Sequence, residues 1–152
     1  PDSNNGGSWK NTNPHPEMDK VNEEDPKLNY NLKRLCKMTR AWKSFCNVPI
    51  GGLLIDTLAF NFLNNWGHKD KSYLYYDLMA RDFFSYLKNQ KETQTYWFAL
   101  GSNQLVHRKG NFEYKAKLAY NKALEAIEFQ KNSQSYSAKQ KWREIYGYKF
   151  PS

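Results

Sequence analysis

Lys33, Lys37, Arg40 and Ser44 stand at i, i+4, i+7 and i+11. On a helix this spacing stacks them in one narrow stripe. Like charges one turn apart cost an isolated helix about 0.2–0.5 kcal/mol per pair. A stripe that keeps three cations therefore suits a bound polyanion, because Lys and Arg hold phosphate oxygens through charge-assisted hydrogen bonds. A few residues on, Pro49-Ile50-Gly51-Gly52 opens a second helix. Its free N–H groups and positive dipole end can face the same anion. The glycines there either let a ligand approach the backbone closely or relax a tight turn. Lys33, Lys37, Arg40 and Gly52 are thus the candidate phosphate-binding residues.

Other chemistry is sparse. His15, His68 and His107 are far apart and have no ligand-type partner three or four residues away, so no metal site is legible. No Gly-x-x-x-x-Gly-Lys-Ser/Thr loop and no Gly-x-Gly-x-x-Gly turn occurs. Asp77 and Asp82 fall on different sides of one helix and are not a paired acid and base. Asp56, on the apolar second helix, either pairs with a buried cation or sits at the solvent edge, the latter being the simpler expectation. Cys36 and Cys46, on one helix, are about 15 Å apart at 1.5 Å per residue, too far for a disulfide. Reduced thiols are expected.

Hydrophobic periodicity supplies the elements that position the stripe. Residues 1–25 read as an ordered loop, with three of their residues Pro, a Gly6-Gly7 pair and Trp9 pinned within it. A helical domain spans 26–152. Its first helix begins at Asp25-Pro26, a capping residue followed by one pre-set for the first turn. Leu28, Leu32, Leu35, Met38, Thr39, Trp42 and Phe45 fill its apolar arc. A second helix runs from Pro49 to about Trp66 and is apolar nearly all round, so it is central; Gly67 stops it. Ser72 caps a third helix to about Lys91. Residues 92–110 read as an irregular connection with a short extended piece at Thr95–Phe98. Asn111 caps a fourth helix to Lys131, and Ser137 with Gln140 opens a fifth that ends at Gly147. The expected fold is all-α, a bundle of about five helices with long ordered loops.

The chain has 152 residues, 23 Lys plus Arg against 15 Asp plus Glu, and a net charge of +8. Mean hydropathy is -0.91, and no apolar run approaches the ~20 residues of a membrane helix. An aromatic content of 16% indicates a packed core. The charge is uneven: residues 28–46 carry five cations and no anion. An anionic partner fits this distribution, and so do solvated helix faces. The absence of an initiator Met and of a signal-peptide pattern reads as a cytoplasmic piece of something longer.

Several stretches, taken in order, resemble bacterial CD-NTases, the cyclic-oligonucleotide synthases related to cyclic GMP–AMP synthase and oligoadenylate synthetase. Pro1-Asp2-Ser3, Gly6-Gly7-Ser8-Trp9 and Thr12-Asn13-Pro14 are similar to the segment following that family's last catalytic carboxylate. Leu32-Lys33-Arg34-Leu35 through Lys37-Met38-Thr39-Arg40-Ala41-Trp42 is similar to its basic helix ending in lysine-x-tryptophan. The ending Trp142 … Ile145-Tyr146-Gly147-Tyr148-Lys149-Phe150-Pro151 looks like its C-terminus.

The resemblance implies the C-terminal lobe of a two-lobed nucleotidyltransferase, an enzyme that joins nucleoside triphosphates into a cyclic or short oligonucleotide second messenger in antiphage defence. It implies Mg²⁺ or Mn²⁺ bound by carboxylates of an N-terminal catalytic lobe that this chain lacks, so the chain alone is expected to be inactive and to have that lobe as a partner. Arg40 stands where the family lysine contacts the donor triphosphate, a change that phosphate clamping tolerates. Gly52-Leu53 stands where the family has serine and tyrosine. The rival reading is a non-enzymatic basic helical module that binds nucleic acid; a third is a scaffold whose nucleotide site has decayed.

Overall fold

The computed structural model of the chain describes residues 16–66 and 76–147. Trp9, the Gly67 stop, the Ser72 cap and the closing Phe150-Pro151 lie outside the described residues. Those residues form a mostly helical bundle, as the periodicity indicated, with six α-helices and one β-hairpin among them.

The first helix, α1 (Pro16–Glu24), falls within the stretch expected to be loop. Pro16 occupies its first position, where the missing N–H costs nothing. Glu17 and Asp19 sit in the first turn and favour the positive end of the dipole. Lys20 lies 3.7 Å from Glu23 and 3.4 Å from Glu24 across one turn.

Asp25-Pro26 does not open the long basic helix directly. Pro26–Leu28 is one 3₁₀ turn, after which Asn29 and Tyr30 both take left-handed conformations, with φ of 58° and 63°. The helix proper, α2, is Asn31–Cys46. Asp25 organises this corner while almost wholly buried. Its carbonyl accepts from the N–H of Leu28 at 3.1 Å and Tyr30 at 2.8 Å. Its Oδ1 accepts from the Lys33 N–H at 3.0 Å, in the first turn of α2. Asp25 therefore caps the helix that starts six residues later, and not the turn beside it. Asp25→Ala leaves that N–H without its carboxylate and should lower unfolding free energy by about 1–2 kcal/mol, measured by urea denaturation with an unchanged slope.

The apolar face of α2 buries Leu32, Leu35, Cys36, Thr39 and Trp42. Phe45 departs from the expected arc, being exposed, with its ring edge lying against Gly147. Pro49 and Ile50 precede α3 (Gly52–Asn64), which begins three residues later than read from sequence, with Gly51 extended at its cap. Leu54, Ile55, Leu58, Ala59, Phe62 and Leu63 of α3 are all buried, which makes it the central helix. Trp66 donates through Nε1 to Asp82 Oδ2 at 2.8 Å, tying the end of α3 to α4 (Tyr76–Lys88).

The expected irregular connection contains a hairpin. Strands β1 (Tyr96–Phe98) and β2 (Leu105–His107) pair antiparallel, Trp97 opposite Val106. Trp97 is buried and its ring lies 6.2 Å from that of Phe112. The next helix, α5 (Glu113–Lys131), starts two residues after Asn111, with no side-chain cap. It buries Ala116, Ala119, Ala123 and Ala126; small residues at this spacing let its neighbours α4 and α6 approach closely. The last helix, α6 (Ser135–Tyr146), begins before Ser137, so the Ser137–Gln140 spacing falls within the helix and not at its cap. Gly147, at φ 93°, stops it as expected.

Candidate functional site

The candidate residues come together in a cleft of about 740 Å³ bounded by three helices. From α2 it takes Lys33, Cys36, Lys37 and Arg40; from α3, Gly52, Leu53 and Asp56; from α1, Glu17, Met18, Val21 and Asn22. All four residues chosen from spacing, Lys33, Lys37, Arg40 and Gly52, line this one cleft. The helical phase of the apolar arc explains why. Burying Leu32, Leu35, Thr39 and Trp42 turns the stripe outward, and Lys33, Lys37, Arg40 and Ser44 are all exposed. Ser44 lies beyond the cleft wall.

Asp56 sits at the solvent edge, as the simpler expectation had it, but it is paired there, with a half-exposed cation and not a buried one. Arg40 Nη1 donates to its Oδ1 at 2.7 Å and Nη2 to its Oδ2 at 2.9 Å, a two-pronged pair. Nη2 also reaches the Gly52 carbonyl at 3.3 Å. The arginine is 46% exposed and the aspartate 18%, so the pair closes one side of the cleft at its surface. Hydrogen bonding to Asp56 raises the guanidinium further above its ordinary range, so it stays charged at any working pH. Lys33 and Lys37 have no carboxylate within ion-pair distance among the described residues.

Gly52 leaves room for this arrangement: a Cβ there would stand 3.2 Å from Arg40 Nη2, and the guanidinium would have to shift by a few tenths of an ångström. Gly51 faces a second cation, with Lys109 Cε 3.2 Å and Nζ 3.6 Å from where a Cβ would sit. The N-terminal turn of α3 has no side-chain cap, and its first amides lack helix partners. Arg40 and Lys109 thus bracket a turn rich in free N–H groups. Sequence reasoning missed Lys109, because nothing local in Val106-His107-Arg108-Lys109 signals where the hairpin delivers it. Cys36, at the cleft floor, is buried; burial, with the Asp56 carboxylate nearby, pushes its thiol well up. It is an apolar wall and not a nucleophile. Cys46 is likewise a free thiol.

Among the described residues no group of three or more His, Cys, Asp or Glu could hold a metal ion. No helix among them is long and apolar enough to cross a membrane.

The fold and cleft define a mostly helical domain with a groove between α1, α2 and α3 whose lining carries three cations, Lys33, Lys37 and Arg40, and two carboxylates, Glu17 and Asp56. The chain is similar to a probable cyclic nucleotide synthase of Bacillus cereus (strain VD146), at 23% identity over 157 aligned positions. The alignment covers 96% of this chain and 44% of that relative, so the chain spans less than half of the relative's length. No protein-family model and no solved structure matches the chain.

Proposed function

We propose that this chain is the helical lobe of a nucleotidyltransferase that joins nucleoside triphosphates into a cyclic or short oligonucleotide messenger, with a role in antiphage defence. In this reading the α1–α2–α3 cleft takes the triphosphate of a bound nucleotide. One observation carries it: Lys33, Lys37, Arg40 and Gly52, separated by up to 19 positions in sequence, line one groove of about 740 Å³. The likeness to a relative named as a cyclic nucleotide synthase supports the same class.

The roles follow from the side chains. Lys33 and Lys37 are mobile point charges one turn apart on α2; Arg40 presents a planar set of donors one turn further on. The opening turn of α3 adds backbone N–H groups. Together they bind and orient a polyphosphate without touching the reacting hydroxyl. Mg²⁺ or Mn²⁺ supplies charge neutralisation in phosphoryl transfer of this kind. In this reading the metal is held by carboxylates of a catalytic lobe paired with this one. On its own the chain is expected to bind nucleotide and to make no product.

Binding of ATP to the chain, followed by calorimetry, tests this reading. A hydrogen bond to a charged group contributes about 1.5–3 kcal/mol, so Lys37→Ala should weaken ATP roughly 10- to 100-fold, with Arg40→Lys close to wild type. Arg40→Ala also strands Asp56, and its partly exposed pair adds about 1 kcal/mol of destabilisation at most, small enough to keep it folded. The nucleic-acid reading gives a different result: equal losses of duplex affinity for Lys33→Ala, Lys37→Ala and Arg40→Ala, each lowering the salt slope by about one, with no change in ATP binding.

A further inference from the structure

We propose that Asp56 sets the anion affinity of this cleft by competing with the ligand for Arg40. The idea rests on reading the cleft as a phosphate site and adds to it a built-in rival. Both oxygens of Asp56 lie on the Nη1 and Nη2 fork, at 2.7 and 2.9 Å. That is the bidentate geometry a phosphate would use on the same nitrogens. The remaining Nη2 contact is taken by the Gly52 carbonyl at 3.3 Å. Arg40 therefore meets an incoming anion with its best donors already occupied, while Lys33 and Lys37 meet it open.

Neither member of the pair is sealed away. Arg40 is 46% exposed and faces the cleft, so the guanidinium can exchange one partner for another without unfolding α2 or α3. A ligand that binds only when the fork is open has its affinity reduced by the fraction of time the fork is open. For a partly exposed pair worth about 1 kcal/mol at most, that factor is up to about five. It applies to every anion that uses Arg40, so weakly held single phosphates are excluded first. A polyphosphate keeps useful affinity because it also reaches Lys37 and Lys33, about 4.5 and 10.5 Å back along the axis at 1.5 Å per residue.

The test is calorimetric titration of the 152-residue chain with inorganic tripolyphosphate, for wild type, Asp56→Asn, Arg40→Ala and the double variant. Asp56→Asn should bind up to about fivefold more tightly than wild type, and the double variant no more tightly than Arg40→Ala. Equal or weaker binding by Asp56→Asn overturns the competition, as does the same gain in the Arg40→Ala background, which would make Asp56 a plain repulsive charge. Tripolyphosphate binding to none of the four would remove the phosphate reading itself, whereas wild-type binding that ignores Asp56 removes only this proposal. Should Asp56→Asn fail to fold by circular dichroism, the wild type decides: the ¹³C carboxyl signal of Asp56 should shift as tripolyphosphate saturates the site. A signal that stays fixed through saturation contradicts the exchange.

Discussion

Glu113→Ala should destabilise the protein by about 3–5 kcal/mol, the penalty for leaving a buried charge without its partner. Arg108 and Glu113 are only 7% and 5% exposed. Arg108 Nη1 donates to Glu113 Oε1 and Nη2 to Oε2, each at 2.9 Å. The same guanidinium donates through Nε to the Gln94 carbonyl at 2.8 Å and through Nη2 to the Lys91 carbonyl at 2.9 Å. It also stacks over Phe112 and Trp97, 4.8 and 5.2 Å from the ring centres. One side chain thus ties the end of the α4 connection, the hairpin and the first turn of α5. Replacing both partners by apolar residues often restores stability to a buried pair. Here Arg108→Met with Glu113→Leu should recover only part of the loss, because the carbonyls of Lys91 and Gln94 lose their donor. Urea denaturation of the single and double variants measures this. A loss below about 1 kcal/mol for Glu113→Ala, the range of exposed pairs, would mean the site is wetter than its burial shows.

Trp42→Ala should cost a similar 3–5 kcal/mol. Trp42 is fully buried on α2 and meets Phe84 of α4 edge-on, at 5.1 Å and 65°. Truncation leaves a cavity at the contact between those helices and removes an aromatic pairing that adds about 0.5–1.5 kcal/mol beyond area. In a domain of this size each kcal/mol moves the melting temperature by about 2–4 °C, so a fall of order 10 °C is expected in a thermal melt. Trp42→Phe keeps most of the volume and should fall by much less. A melt of Trp42→Ala that matches wild type would place the apolar arc of α2 on another face, and with it the basic stripe.

That phase was legible because α2 is long and strictly periodic. Leu32, Leu35, Thr39 and Trp42 recur at the helical interval, and fixing them inside fixes Lys33, Lys37 and Arg40 outside. The stop at Gly147 was legible for a similarly local reason, a residue free to take φ 93°. What escaped depended on distant partners. The pairing of Asp56 at the cleft edge was missed since its partner stands 16 positions away on another helix. The start of α2 was misplaced because Asp25 caps across Asn29 and Tyr30, whose left-handed conformations no periodicity signals. Helix α1 was hidden by a proline that reads as a loop residue but serves at a first helical position. The hairpin was read as one extended piece, since each strand has only three residues and its partner is found by pairing alone.

The most direct measurement of the central claim is a titration of ¹⁵N-labelled chain with ATP, followed residue by residue through amide chemical shifts. If the α1–α2–α3 cleft holds the triphosphate, the largest shifts will cluster on Lys33, Lys37, Arg40 and the Gly51–Leu53 turn. Inorganic tripolyphosphate should reproduce those shifts, and Lys37→Ala with Arg40→Ala should abolish them. Shifts that cluster elsewhere, on the hairpin or the outer face of α5, or saturable ATP binding that survives loss of both cations, would contradict the claim.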